Sequence, residues 1–287
     1  MKRAFQRIAA ACAAAALLTV PAGASEEYAE QTADIDSLTG AAAVIETFLE
    51  EHEIPRENIA IGFLHPETGE EYFVNGDEYF FAASLYKVAL NMYFAEKVHN
   101  GELTWDTRIS GYPLGKLQEG SLVHSNNDYS FLLVEELGSV KKSRIAVASY
   151  YGLTEEEAKA DKKYQTDSWT TAEQMLCCME TLYSRSEDFP NVIDCLLEAQ
   201  PGNYLRLQED RWPIAQKYGY YYINGRYINV AGIIYTDSPF LLVVMTRDVS
   251  GAKMVMSLLC SRLGEYVESL SPPIGSHYPA GTEIKPQ

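Results

Sequence analysis

Basic residues are scarce in this chain. Its 287 residues include 23 Lys and Arg against 40 Asp and Glu, a formal charge of −17. A surface of that sign repels phosphate backbones and anionic headgroups, which argues against nucleic acid or a charged bilayer as a partner. Cysteines number five and none stands in a C-x-x-C spacing. The five histidines form no H-E-x-x-H, so a zinc site has no support and no metal is expected. There is no G-x-S-x-G turn, which removes the support that His124, beside Ser125, would lend to a Ser–His–Asp triad. Beyond the first twenty residues no apolar run is long enough to cross a membrane. Internal repeats and low-complexity tracts are also lacking.

The N-terminus has the composition of a cleaved leader. Lys2, Arg3 and Arg7 precede the apolar run Ile8–Val20, and Ala22-Gly23-Ala24 ends it. Cleavage after residue 24 takes three basic and no acidic residues and leaves a charge of −20. The expected product is extracytoplasmic. Residues 25–39 read as an acidic flexible linker, 40–270 as one globular domain and 271–287 as an irregular Pro- and Gly-containing tail. Cys177, Cys178, Cys195 and Cys260 all lie in apolar, helix-like contexts, where buried unpaired thiols are expected.

Periodicity gives the fold class. Ala41–Glu51 repeats as an amphipathic helix, and Ile59–His65 and Glu71–Asn75 flank the turn Pro66-Glu67-Thr68-Gly69. Helical patterns then dominate from Ser84 to about Ala199. Strand-like runs return at Val230–Thr236 and Phe240–Thr246, and Ala252–Ser269 closes on a helix. Strands at both ends of one domain predict an α/β (α+β) fold with a single antiparallel sheet flanked by helices. The sheet lobe would comprise about 40–83 and 213–270, with an all-helical lobe inserted at about 84–212.

One segment stands out chemically. Ser84 and Lys87 lie three residues apart at the start of the apolar helix Val88–Phe94. That spacing puts both on one helix face, where an amine can take the proton of a hydroxyl and make it a nucleophile. S-x-x-K recurs at Ser139–Lys142 and Ser250–Lys253, but beside Gly138 and Gly251, in polar turns. Ser125-Asn126-Asn127 follows, before a helix over Tyr129–Leu137. On its own it reads as a helix cap. Lys217-Tyr218-Gly219 then opens the second strand-rich region.

Taken together, Ser84–Lys87, Ser125–Asn127 and Lys217–Gly219 resemble the S-x-x-K, S-D-N and K-T-G signatures of class A β-lactamases and penicillin-binding proteins. The resemblance extends over roughly residues 40–270, through the first hairpin, the closing strands and the final helix. It implies a bacterial cell-envelope enzyme that works without a cofactor on a small β-lactam or a peptidoglycan peptide, as a monomer. It also implies the roles. Ser84 becomes acylated, Lys87 accepts its proton, Ser125 relays a proton to the leaving nitrogen, and Lys217 supplies a second cation that attracts a substrate carboxylate. Asn127 binds the substrate amide, and Gly219 and Tyr220 form the strand edge, the N–H groups of Ser84 and Tyr220 holding the oxyanion.

The departures are specific. Asn126 replaces an Asp, and Tyr218 replaces a small hydroxyl residue beside the expected carboxylate site, where it would narrow or reshape the cleft. The E-x-x-L-N pattern that provides the deacylating carboxylate in class A enzymes is missing between Gly152 and Thr171. Glu155, Glu156, Glu157 and Asp161 are the carboxylates available there, although an acidic run more often marks a solvated helix face. Three functions stay open: a serine hydrolase acting on β-lactams, a DD-peptidase or acyl-transferase of peptidoglycan, and a low-turnover binding scaffold.

Overall fold

The computed structural model describes residues 37–166, 168–222 and 224–270. The expected leader, most of the linker and the tail lie outside them. A five-stranded antiparallel sheet runs through the middle in the order β2-β1-β9-β8-β7. Its strands are β1 (Ile59–His65), β2 (Glu70–Val74), β7 (Ile214–Tyr221), β8 (Tyr227–Ile234) and β9 (Phe240–Arg247). β1 pairs with β9, Ile59 opposite Thr246, so the two ends of the domain close one sheet.

The sheet is covered on both faces, and the sequence shows why. β8 is buried at every position and β9 at all but its last, so both are mostly apolar without polar alternation, with the buried Asn229 interrupting β8 and Thr246 near the end of β9. Ile61, Phe63, Val230, Leu242 and Val244 face one side, packed against α1 (Gly40–Glu51) and α9 (Ala252–Leu270). α9 buries Val255, Met256, Leu259, Cys260, Leu263 and Val267, a stripe at three- and four-residue intervals. Ala215, Ala231, Ile233, Leu241 and Val243 face the other side, against α2 (Lys87–His99), α7 (Ala172–Ser184) and α8 (Pro190–Glu198).

Between β1 and β7 the chain is mostly helical. A third apolar cluster joins α2 to α3 (Leu114–Leu122) and α4 (Asn127–Glu136) through Leu90, Phe94, Leu117 and Leu133. α5 (Val140–Ala146) and α6 (Glu155–Ala160) follow, and three two-residue strands interrupt the helices: β4 (Arg108–Ile109), β5 (Tyr112–Pro113) and β6 (Trp169–Thr170). Boundaries differ from the expectation by a few residues. β8 begins at Tyr227 because Tyr227 and Ile228 pair with Tyr221 and Tyr220, extending the ladder past the apolar run. α4 begins at Asn127 because the Asn126 side chain caps it, accepting from the Tyr129 amide at 3.1 Å.

The segment between Gly152 and Thr171 is anchored by Arg144, which is 4 % exposed. Its guanidinium donates to the carbonyls of Tyr164 at 2.9 Å and Trp169 at 2.7 Å and lies 3.9 Å from the Tyr164 ring. β6 in turn pairs with β3 (Phe80–Phe81), and the Ala82 amide donates to the Ser168 carbonyl at 2.7 Å. The loop is thereby tied to the chain just ahead of Ser84. Arg144→Leu removes charged hydrogen bonds to two carbonyls and should destabilise the fold by about 2 kcal/mol or more. Hydrogen exchange should then speed up in residues 152–170 before it does in the sheet. Unchanged protection there would show that Arg144 does not anchor the loop.

Candidate active site

Ser84 lies on a tight 3-10 turn, Ala83–Tyr86, that leads into α2. Three residues complete such a turn, so Ser84 and Lys87 fall in line along its axis. The turn is entered through Ala83, at φ +51°, a left-handed conformation uncommon in a residue with a Cβ. Ser125 has the same strained backbone, also at φ +51°. Strain of this kind persists only where surrounding contacts enforce it.

Those contacts converge on Lys87, which is fully buried. Its ammonium donates to the Ser125 carbonyl at 2.7 Å, to Asn127 Oδ1 at 2.8 Å and to Ser125 Oγ at 3.3 Å. Lys217 arrives from β7, equally buried, and donates to the same Ser125 Oγ at 2.9 Å. Burial pushes the Lys87 amine down to about 7. Burial and then the Lys87 charge hold Lys217 well below the usual lysine range. An amine with a pKa near neutrality can exist as a free base under ordinary conditions, which proton acceptance from a serine requires.

The strand β7 comes close to the Ser84 turn because residue 219 has no side chain. A Cβ there would stand 2.6 Å from the Ala82 carbonyl oxygen and 2.9 Å from the Ser84 nitrogen. β7 is also the outer strand, so every second amide, free of β8, points out of the sheet. Tyr220 lies one residue beyond Gly219 on that edge.

Sequence reasoning missed two buried asparagines that fix this geometry. Asn229, opposite Gly219 on β8, donates to the Phe81 carbonyl at 2.9 Å and accepts from the Thr246 amide at 3.0 Å. It ties the approach to Ser84 to the centre of the sheet. Asn91 lies one turn after Lys87 and donates to the Lys87 carbonyl at 2.7 Å and to Ser121 Oγ at 2.9 Å. Ser121 Oγ meets Ser130 Oγ at 2.9 Å, and Ser130 donates to the Asn126 carbonyl at 2.7 Å. This buried chain joins α2 to the Ser125–Asn127 loop. A polar residue inside an otherwise apolar helix is the one sequence signal that could have pointed to Asn91.

Other expected residues lie apart from this cluster. Glu155, Glu156 and Glu157 are on the exposed face of α6. Glu155 pairs with Lys159 at 2.5 Å, and Glu157 closes a capping box with Thr154. The Asp161 carboxylate accepts from the Tyr79 hydroxyl and from the amides of Lys163 and Tyr164. Burial raises its pKa, and those hydrogen bonds with the Arg144 charge more than offset the rise. Ser139 caps α5, accepting from the Lys142 amide at 3.1 Å. His124 is exposed. No group of three or more potential metal ligands exists among the described residues.

An antiparallel sheet between helical layers, with a Ser–Lys turn at its edge, defines a serine hydrolase of the β-lactamase type. The chain belongs to the β-lactamase enzyme family, whose family model matches residues 40–267. Solved class A structures share its fold. A β-lactamase from Chitinophaga pinensis is 17 % identical with a TM-score of 0.64, covering 78 % of this chain and 99 % of that one. One from Xanthomonas campestris pv. campestris is 16 % identical with a TM-score of 0.64, covering 80 % and 100 %. The class A β-lactamase of the last common ancestor of Gram-negative bacteria is 20 % identical, again with a TM-score of 0.64 and coverage of 80 % and 100 %. No curated protein matches the sequence.

The lysine pKa can be measured directly. With 13C-labelled lysine, the Lys87 Cε resonance should titrate near pH 7, while exposed lysines stay charged to much higher pH. The free base is the form above the midpoint, so the neutral fraction grows as pH rises. A Lys87 midpoint near 10 would mean that the amine is not desolvated.

Proposed function

We propose that this chain is an extracytoplasmic acyl-serine hydrolase that opens β-lactams through Ser84 and releases the acyl group slowly. The observation that carries the reading is the buried, near-neutral Lys87, bound to Ser125 and Asn127, one tight turn after Ser84. Ser84 Oγ attacks the lactam carbonyl as its proton passes to Lys87. The oxyanion is held by the Ser84 and Tyr220 amides. The C–N bond then breaks, and Ser125 gives the nitrogen a proton that the two amines replace. Asn127 Oδ1 is engaged by Lys87, which leaves the amide NH2 to bind the substrate.

Deacylation is the weak step. An activated water needs a base, and such help contributes about 10²–10⁴-fold. Glu155 and Glu157 are engaged at the surface, and Asp161 is engaged by three donors. The same observation supports a second reading, a peptidoglycan DD-peptidase or acyl-transferase, which shares the acyl-enzyme and passes it to water or to an amine. The leader is proposed to direct export to the bacterial envelope, with the enzyme acting there as a monomer.

A labelled-penicillin chase tests the reading. Label should appear on Ser84 and survive for minutes or longer by intact-mass spectrometry, and Ser84→Ala should take none. Rapid penicillin consumption with no adduct would refute slow release. Label retained by Ser84→Ala would move the nucleophile elsewhere, and no label on the wild type would leave a binding scaffold. Acylation should rise with pH through about 7 and then level off, as Lys87 becomes neutral.

A further inference from the structure

We propose that Tyr218 closes the approach to Lys217, so that this site selects acyl donors without a carboxylate beside the scissile bond. The proposal rests on the acyl-serine reading of Ser84 and concerns which substrates that serine meets. Lys217 is the cation a substrate carboxylate would seek, yet it is fully buried. Its amine shares Ser125 Oγ, 2.9 Å away, with Lys87, and lies over the Tyr218 ring face, whose centroid is 4.0 Å away. The ring face covers the amine on that side and is itself a partner for whatever positive charge it carries, so no open approach is left for an anion.

Tyr218 is well held in that position. It is 5 % exposed, and its ring packs on Tyr204 with centroids 4.9 Å apart and planes at 30°. Its hydroxyl accepts from Gln200 Nε2 at 3.4 Å and interacts with the Ser125 side chain. Gln200 and Tyr204 both take left-handed backbones, at φ +49° and +55°. Gln216, two residues before Tyr218, binds the segment they belong to. Its side chain donates to the carbonyls of Ala199, Gln200 and Asn203 at 3.3, 3.2 and 3.0 Å and accepts from the Leu205 amide at 3.1 Å. Tyr218 thus fills volume beside Lys217 while its phenol keeps a hydroxyl near Ser125.

The surroundings also favour uncharged ligands. Past Gly219 come Tyr220 on the strand and Tyr222 just after its end, 59 % and 62 % exposed, with ring centroids 5.8 Å apart. They offer apolar faces and neutral hydroxyls. The formal charge of −17 repels anions at longer range.

The test compares penicillin G with its methyl ester, which differ at one carboxylate, and reads acylation of Ser84 by intact mass. A charged hydrogen bond to a substrate carboxylate would favour the free acid by about 10- to 100-fold. Wild type should show no preference for it and should acylate at least as fast with the ester. Tyr218→Thr keeps a hydroxyl and opens the space, and should shift the ratio toward the free acid by about tenfold or more. Tyr218→Phe keeps the ring and should leave the ratio as in wild type. A strong free-acid preference in wild type overturns the proposal even if Tyr218→Thr fails to fold. So does an unchanged ratio in a folded Tyr218→Thr, or failure of the ester to acylate. A fluorophosphonate probe separates the two readings. Ser84 labelled by the probe but by neither lactam counts against substrate selection as proposed. Ser84 unlabelled by the probe counts against the acyl-serine reading itself.

Discussion

Two lysine amines share one serine hydroxyl, and the rest of the site is arranged around that contact. Lys87 and Lys217 both donate to Ser125 Oγ from full burial, and neither takes part in an ion pair among the described residues. Desolvated like charges repel, and the protein relieves the repulsion by favouring the neutral amine. The chemistry and the energetic cost thus have one origin. The burial that brings the Lys87 amine down to about 7 also makes it an unfavourable core residue.

Rigid neighbours keep this arrangement from relaxing. Asn229 fixes the entry to the Ser84 turn to the sheet, and the Asn91–Ser121–Ser130 chain fixes the loop of Ser125 to α2. Each tether is buried and bonded at both ends, so little motion is open to it without losing hydrogen bonds in a dry interior. The left-handed backbones at Ala83 and Ser125 fit this picture, since strain there needs over-determined surroundings. Gly219 completes the frame by letting the strand edge approach the turn.

The chain departs from its family on the two sides of the site. On one, the loop that carries a deacylating carboxylate in class A enzymes is pinned by Arg144, while Glu157 serves a helix cap and Glu155 a surface pair. On the other, an aromatic ring stands where a small hydroxyl side chain is usual. On the proposed reading, one change bears on substrate entry and the other on acyl release, and both leave Ser84, Lys87, Ser125 and Lys217 in place. Acylation and its consequences can vary separately on this scaffold, because different elements supply them.

The sequence by itself determined much of the frame. Burial of the sheet on both faces writes β8 and β9 as mostly apolar runs without polar alternation, and the stripe of α9 repeats at helical spacing. Ser84 and Lys87 were legible because their spacing is local, and Ser125 and Lys217 because they stand in motif order. Tertiary structure decided the rest. Asn229 meets Phe81 across 148 residues of chain, and no local pattern marks such a pairing. The alternation rule sends Lys217 and Tyr218 to opposite faces of their strand, yet the lysine ammonium ends over the tyrosine ring. Whether Lys217 faces a substrate or a phenol depends on which volume neighbouring elements leave empty. Packing sets that volume, and spacing along the chain carries no record of it.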